Sequence, residues 1–278
     1  MKINKITNLF SLENKNIVIT GAAGMLGRQH AEAIAAVGGL PILVDINLKG
    51  LIKLKNKINK QYKINSIIYK LDITKEKQIK KCSRFLIKKI KHIDGLINNA
   101  ANNPSMKKSD KNNKTRLENF PLRKWNDDLL TSLTGSFLCA KYFGYEIFKN
   151  KQGGAILNIS SDLGLIAPDQ RLYYNRNKKA QHQNVKPVSY SVSKFGIVGL
   201  TKYLSTYWPK KVRCNVLCPG GIKTDQNKRL IKEIINRIPL GRMAQPDDYQ
   251  AAVVFLLSDA SKYLNGAVIP MDGGRTAW

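Results

Sequence analysis

A short apolar run that leads at once into a glycine-rich turn constrains this fold more than any other feature. The run covers residues 16–20, is β-branched at 17–20, and is followed by Gly21, Gly24 and Gly27. A helical, Ala-rich stretch continues over residues 28–37. Glycines let the backbone approach a pyrophosphate, which then lies at a helix N-terminus where free N–H groups and the helix dipole favour an anion. Strand, turn and helix therefore predict the first half of a βαβ unit that binds a dinucleotide.

Two acidic residues follow the next two predicted strands. Asp45 ends the strand at 41–44, where a carboxylate can accept both hydroxyls of an adenosine ribose and repel a 2′-phosphate. This position predicts NAD(H) rather than NADP(H), although a solvated aspartate at a strand end is the alternative. Asp72 and Ile73 end the following strand and are expected to flank an adenine ring. Asp72 is also a candidate cap for the helix that begins near Lys75, and the two roles are compatible.

Helical and strand patterns alternate along the rest of the chain without hairpin signals. Such alternation predicts an α/β fold, with a doubly wound parallel sheet of about seven strands and helices on both faces in three layers. The 278 residues show no repeat and no second domain, so we expect one domain over residues 1–278. Polar stretches near 102–124 and 165–187 are expected to form loops on the substrate side.

The formal charge of +28, from 47 basic and 19 acidic residues, raises the question of a polyanionic partner. The lysines between residues 49 and 91 are spread along presumed helix exteriors without interleaved aromatic residues. This pattern favours a solvated basic surface over nucleic-acid binding.

The chain contains no apolar run of bilayer length, and its polar start lacks a secretory apolar region. Its four cysteines include no C-x-x-C pair, and Cys214 and Cys218 are typical of core thiols rather than of a metal or disulfide site. We therefore expect a cytoplasmic protein with no metal and no membrane contact.

Tyr190 and Lys194 are four residues apart in a segment whose apolar residues predict a largely buried helix, so their side chains share a face. A phenol has a pKa of about 10, and a nearby positive charge favours the phenolate and lowers that pKa. The pair is a candidate acid/base for a substrate oxygen, with a core tyrosine beside a surface lysine as the alternative.

Taken in order, these motifs resemble the short-chain dehydrogenase/reductase family, classical type, over almost the whole chain. The motifs that carry the resemblance are Thr20 to Gly27, Asp72, Asn98-Asn99-Ala100, Ser160-Ser161, Tyr190 with Lys194, Pro219-Gly220, Pro239 to Arg242, Ser258-Asp259 and Asp272-Gly273-Gly274.

The resemblance implies a Rossmann-type fold, a small-molecule substrate and a homo-oligomer, either a dimer or a tetramer. It implies that Tyr190 is the catalytic acid/base, that Lys194 lowers its pKa and binds the nicotinamide ribose, and that Ser161 holds the substrate oxygen, with Ser160 as the weaker candidate. The implied cofactor-binding residues are Gly21, Gly24, Met25, Leu26, Gly27, Asp45, Asp72, Ile73, Asn99, Ala100, Tyr190, Lys194, Pro219, Gly220, Ile222 and Thr224.

Three departures from the family pattern qualify this picture. Met25 stands where classical members place a glycine, so the turn has the spacing of the extended branch, which contains many sugar-nucleotide epimerases and dehydratases. Ser132 stands where classical members carry a catalytic Asn. A long insertion separates Ser161 from Tyr190, and its Arg171 and Arg176 are candidates to clamp a phosphate or carboxylate of the substrate.

The insertion is also similar to that in oxidoreductases of bacterial flagellin-glycan and nonulosonic-acid gene clusters. The resulting hypothesis is an NAD(H)-dependent oxidoreductase that interconverts a secondary alcohol and a ketone of a polar or anionic, sugar-like substrate. The alternatives are an epimerase or dehydratase that retains its NAD, and a non-catalytic NAD sensor or nucleic-acid-binding protein.

Overall fold

A single parallel sheet of seven strands organises the molecule. The computed structural model describes residues 2–102 and 113–278. The strands follow the order β3-β2-β1-β4-β5-β6-β7, and each neighbouring pair is parallel. Their bounds are Asn16–Thr20 (β1), Leu40–Asp45 (β2), Ile67–Lys70 (β3), Gly95–Asn98 (β4), Gly154–Ile159 (β5), Val212–Pro219 (β6) and Val268–Met271 (β7). The predicted fold class is confirmed.

The strand order reverses between β1 and β4, because β1 pairs with β2 on one side and with β4 on the other. In open α/β sheets, ligands bind in the crevice beyond the carboxyl ends of the strands at such a switch point. The residues that leave β1 and β4 therefore define where a ligand can bind.

Helices cover both faces of the sheet. The helices are Lys2–Asn8 (α1), Met25–Ala36 (α2), Leu48–Tyr62 (α3), Glu76–Ile90 (α4), Leu122–Leu129 (α5), Gly135–Cys139 (α6), Tyr145–Lys149 (α7), Val188–Tyr207 (α8), Lys228–Ile235 (α9) and Gln250–Leu257 (α10). Successive strand residues point to opposite faces. Ile17 and Ile19 of β1 accordingly pack in the core with α2, α3 and α10, whereas Val18 packs in the core with α4, α6 and α8.

The lysine-rich helices are amphipathic, as their sequences predict. On α3, Leu51, Leu54 and Ile58 are buried against the core, whereas Lys53 and Lys57 are exposed. The same pattern holds on α4. In the described part of the chain, no helix is both long enough and apolar enough to cross a bilayer. All four cysteines are buried, free thiols.

Some element bounds differ from those that the sequence predicts. Helix α2 begins at Met25 rather than at Arg28, because Gly24 already ends the turn as its N-cap. Of the loop predicted near 102–124, residues 103–112 lie outside the described residues, and α5 already begins at Leu122. The loop predicted near 165–187 is irregular apart from two short 3₁₀ turns, at Gln170–Tyr173 and Ala180–His182.

The expectation that the apolar residues of α8 are largely buried is wrong for one face of the helix. Val192, Phe195, Tyr203 and Tyr207 are exposed, and a Cβ added at Gly199 would meet no atom within 4 Å. These five residues form a stripe along the outside of α8, since their spacing returns them to one side of a helix. We call them the α8 stripe.

Candidate functional site

The turn after β1 is held against the end of β4 by side-chain hydrogen bonds. Thr20 Oγ1 accepts from the backbone N–H groups of Asn99 at 3.0 Å and Ala100 at 3.1 Å. Asn99 Nδ2 donates to the carbonyls of Thr20 and Gly21. Gly21 has a φ of +65°, and a Cβ there would lie 2.8 Å from Ala100 Cα. Only glycine fits this position, so the turn and β4 meet as one rigid wall.

The N-terminus of α2 opens at this wall. Its N-cap, Gly24, provides no side-chain cap, so the first amides of the helix, including those of Met25 and Leu26, are not satisfied by it. Gly24, Met25 and Leu26 line the crevice. Free amides at a helix N-terminus fit a pyrophosphate. Gly27 lies behind them, where a Cβ would lie 2.2 Å from the Gly21 carbonyl oxygen, and it does not line the crevice.

Asp45 is fixed at the end of β2 beside this turn. Its Oδ2 accepts from Ala23 N at 3.0 Å and its Oδ1 from Asn47 N at 2.9 Å. A carboxylate has about four acceptor positions, so two bonds leave it able to accept ribose hydroxyls. The residues present therefore fit the adenosine end of a dinucleotide.

Asp72 lines the crevice next to Ile73, but it does not cap α4. Its Oδ1 accepts from both the backbone N–H and the hydroxyl of Thr74, at 2.9 and 2.7 Å, in a local turn. The N-cap of α4 is Lys75, which makes no side-chain capping bond. The Asp72 side chain thus shapes the wall of the crevice.

At the other end of the crevice, Tyr190 and Lys194 of α8 face the residues that follow β5. Lys194 is buried, and its Nζ donates to the Ile159 carbonyl at 3.0 Å. Ser160 Oγ donates to the Lys194 carbonyl at 2.8 Å. Ser160 is therefore engaged with the backbone of α8, and Ser161 is the serine whose hydroxyl interacts with Tyr190.

Burial governs the protonation of this pair. It raises the pKa of Tyr190 above its ordinary value, and the nearby Ser161 hydroxyl partly offsets this rise. Burial also lowers the pKa of Lys194 to about 8. The sequence predicts that Lys194 lowers the pKa of Tyr190, but here the ammonium is bonded to Ile159 and lies 5.8 Å from the phenol ring centroid. Ionisation of Tyr190 therefore needs further positive charge.

Asp162 connects this cluster to the C-terminal tail. Ser161 Oγ donates to Asp162 Oδ1 at 2.7 Å, and Arg275 Nη1 donates to Asp162 Oδ2 at 2.6 Å. Both members of the ion pair are buried. Sequence reasoning missed this pair, because nothing in the pattern relates an aspartate after β5 to an arginine after β7.

A second lysine lies against the ring of Tyr190. Lys186 Nζ is 3.8 Å from the ring centroid of Tyr190, a cation–π contact, and burial lowers the pKa of Lys186 to about 8. Sequence reasoning missed this residue as well. Its spacing of four from Tyr190 carries little signal, because Lys186 lies before the N-cap of α8.

Ser132, at the position of the family's catalytic Asn, lies in a π-helical turn at Leu130–Thr134. It is buried, its Oγ accepts from Asn102 N at 3.2 Å, and its carbonyl accepts from Ser136 Oγ at 2.9 Å. Such turns occur often at functional sites. Both polar groups of Ser132 are thus engaged within the protein.

One crevice of about 760 Å³ extends from the turn after β1 to Tyr190, and Ser132 does not line it. Most of the sequence-predicted site residues line it, namely Gly21, Gly24, Met25, Leu26, Asp45, Asp72, Ile73, Asn99, Ala100, Ser161, Tyr190, Lys194, Pro219, Gly220 and Ile222. Thr224, Arg171 and Arg176 do not line it. Thr224 and Arg176 are exposed, and Arg171 forms a two-pronged ion pair with Asp169.

Known proteins resemble this chain over nearly its whole length. The protein-family model described as enoyl-(acyl carrier protein) reductase matches residues 21–276. An uncharacterised short-chain type dehydrogenase/reductase of Sinorhizobium fredii is 30% identical over 93% of this chain, which spans 43% of that longer protein. The chain belongs to the short-chain dehydrogenase/reductase family.

Two further family members match over nearly their whole lengths. D-threitol dehydrogenase of Mycolicibacterium smegmatis is 29% identical over 96% of this chain and 95% of its own. The crystal structure of a short-chain type dehydrogenase/reductase from Mycobacterium marinum superimposes with a TM-score of 0.84 at 25% identity, covering 98% of this chain and 99% of that one. This short-chain dehydrogenase/reductase is therefore a member of an oxidoreductase family that uses nicotinamide cofactors.

Proposed function

We propose that this short-chain dehydrogenase/reductase uses NAD(H) to interconvert a secondary alcohol and a ketone. The observation that carries the proposal is that one crevice joins two sets of groups. At one end are the uncapped N-terminus of α2 and Asp45; at the other are Ser161, Tyr190 and Lys194. The first set suits a dinucleotide, and the second suits proton transfer to or from a substrate oxygen.

When bound, an oxidised nicotinamide supplies the hydride acceptor and a positive charge at the reacting end. The chain's own residues handle the oxygen and the proton. In the oxidative direction, the Tyr190 phenolate takes the hydroxyl proton, and Ser161 steadies the oxygen as charge develops on it. In the reductive direction, the raised pKa of Tyr190 keeps the phenol protonated and ready to donate. Lys194 donates to the Ile159 carbonyl, and its proposed role is to bind the nicotinamide ribose.

The substrate of this reaction is proposed to be a polar, sugar-like molecule. The similarity to a D-threitol dehydrogenase supports a polyol or a related hydroxy compound. The crevice also supports it, because charged side chains border the Tyr190 end, among them Lys186, Asp169 and Arg275.

The protein is further proposed to form a homo-oligomer through the α8 stripe. An exposed apolar strip on a helix is a common contact surface between subunits. Phe137 of α6 is exposed as well. A second copy of the same chain presents the same strip, so a two-fold arrangement would bury both.

Replacing Tyr190 by Phe tests the proposed reaction. The variant should bind NAD(H) nearly as the wild type does, because the phenol contributes a proton rather than a major binding contact. Its kcat should fall by at least about 10²–10⁴, the usual contribution of a positioned acid/base. Cofactor binding is measured by fluorescence titration, and turnover by NADH absorbance. Wild-type kcat in this variant would overturn the mechanism.

The same assay separates a dehydrogenase from an enzyme that keeps its NAD through the cycle. Over many turnovers, a dehydrogenase accumulates NADH in proportion to product. Product formation without net NADH would instead indicate an epimerase or dehydratase.

A further inference from the structure

We propose that Lys186 forms a carboxylate-recognition site beside Tyr190, so that the enzyme selects hydroxy acids over neutral polyols. This inference rests on the proposed function, since it names the substrate class of the same crevice. Lys186 lies at the end of the insertion between β5 and α8, immediately before the Pro187 N-cap of α8. The last part of the insertion therefore positions a cation beside Tyr190.

Lys186 can contact only the part of a bound substrate that lies close to Tyr190. Lys186 Nζ lies 3.8 Å from the centre of the Tyr190 ring, whose hydroxyl is the proposed proton carrier. A carboxylate that contacts Lys186 must therefore be within a few bonds of the carbon that carries the reacting oxygen. An ammonium has three N–H donors, so it can bind a substrate oxygen in addition to protein groups.

Two lysines of the described residues lie close together at this end of the crevice. Lys186 and Lys194 flank the same ring, at 3.8 and 5.8 Å from its centroid. The repulsion between them contributes to the lowered pKa of Lys194. A substrate carboxylate would relieve this repulsion, whereas a neutral polyol would not.

Two carboxylates that line this end of the crevice in the described part of the chain, those of Asp162 and Asp169, form ion pairs with arginines. Asp162 is paired with Arg275 at 2.6 Å. Asp169 is paired with Arg171 and with Arg237, both at 2.8 Å. These pairs explain why the sequence-predicted clamp, Arg171, is a poor candidate: its guanidinium is committed to Asp169 and does not line the crevice. Lys186 lines it and takes the role that the sequence assigned to the loop arginines.

A carboxylate is favoured over a phosphate by charge, because one ammonium balances one carboxylate, whereas a phosphate monoester carries about two negative charges. Phosphates are commonly held by guanidinium forks or by helix N-termini. The arginine at this end, Arg275, is engaged with Asp162. A single ammonium is a point charge that balances one carboxylate.

The test compares two four-carbon ligands that differ in their charge. Tartrate carries carboxylates at the ends of the chain where threitol carries alcohols. Their dissociation constants are measured by calorimetry, with and without NAD⁺, for wild type, Lys186→Met, Lys186→Arg and Lys179→Met. Lys179 is an exposed lysine of the same insertion and serves as the matched control.

Wild type and Lys179→Met should bind tartrate more tightly than threitol. Lys186→Met should lose about tenfold or more in tartrate affinity, as expected for a charged hydrogen bond, and keep its threitol affinity within about twofold. Lys186→Arg should retain most of the preference, which also shows that the region remains folded. The proposal is overturned by any of three results: wild type shows no tartrate preference, Lys186→Met keeps its tartrate affinity, or Lys186→Met loses affinity for both ligands equally.

Failure of the proposed function gives a different result. If wild type transfers no hydride with any polyol or hydroxy acid, yet tartrate binding still depends on Lys186, the carboxylate site stands and the reaction assignment falls. If hydride transfer is equally fast with threonate and with threitol, in both wild type and Lys186→Met, the proposed reaction is supported and the proposed carboxylate site is wrong.

Discussion

Arg275 of the C-terminal tail and Asp162 of the turn after β5 form a buried ion pair, with Nη1 and Oδ2 2.6 Å apart. Asp162 also accepts the hydroxyl hydrogen of Ser161 through its other oxygen. Arg275 is therefore connected to Ser161, at the Tyr190 end of the crevice, by two consecutive hydrogen bonds. The position of Ser161 depends on a residue more than a hundred positions along the chain.

Removing one partner of this ion pair should lower the free energy of unfolding. Arg275→Met leaves the Asp162 carboxylate buried without its counter-ion, which typically costs about 3–5 kcal/mol in the free energy of unfolding. The double variant Asp162→Asn/Arg275→Met should recover most of that loss, because no uncompensated charge remains. Urea unfolding measures the free energy of unfolding of the single and the double variant. Arg242→Met, which breaks the exposed pair with Asp248, is the matched control and should have little effect. An equally small effect for Arg275→Met would show that the tail pair does not stabilise the fold.

Asp45 should set the choice of cofactor. Its carboxylate lies beside the turn that would hold the adenosine, and juxtaposed like charges cost several kcal/mol, so a 2′-phosphate is disfavoured. Asp45→Asn removes the charge and should shift the ratio of kcat/KM values for NAD(H) and NADP(H) toward NADP(H) by at least about tenfold. Steady-state kinetics with both cofactors provide the measurement. A wild-type enzyme that prefers NADP(H) would contradict the role assigned to Asp45.

His30, buried on α2, should make stability depend on pH. Burial lowers its pKa from 6.5 to about 4, so the folded state binds fewer protons than the unfolded state between these values. The free energy of unfolding therefore falls as the pH falls through this window, by about 2 kcal/mol from pH 8 to pH 5 for this group alone. Urea unfolding at the two pH values should show this component in wild type and not in His30→Leu.

His182→Gln serves as the control for that experiment, because His182 is exposed in the insertion. It should keep the wild-type difference between pH 8 and pH 5. The same difference in His30→Leu as in wild type would assign the pH dependence to other groups.

The α8 stripe should hold subunits together. Phe195→Glu places a charge in its centre and should convert the oligomer to monomers, as measured by light scattering. Tyr263→Glu changes a fully exposed aromatic residue outside the stripe and should leave the mass unchanged. A wild-type protein that is itself a monomer at micromolar concentration would remove this proposal.

The fold could be predicted because buried parallel strands produce continuous apolar runs that alternate with amphipathic helices. Residues 16–20 illustrate this: all five are buried, and the predicted strand has the observed bounds. The exposed side of α8 could not be predicted, because exposed apolar residues of a helix have the same sequence pattern as core residues.

Within the site, the sequence predicted the residues of local motifs but not the contacts between residues that are distant in the chain. The glycine turn and the pair of Tyr190 and Lys194 are each set by the geometry of one element. The contact between Arg275 and Asp162 depends on how two distant loops pack. Lys186 was overlooked for another reason: in so lysine-rich a chain, one more lysine carries little signal until its position over the ring is known.

The hydroxyl of Ser161 has a single hydrogen, and in this structure Asp162 holds it. A substrate oxygen must draw that hydrogen away from a carboxylate, which a neutral carbonyl or alcohol does poorly and a partly anionic oxygen does well. Ser161 should therefore contribute little to the affinity for the substrate in its ground state and much to stabilising the transition state. Its replacement by alanine would then slow turnover while leaving the Michaelis constant nearly unchanged.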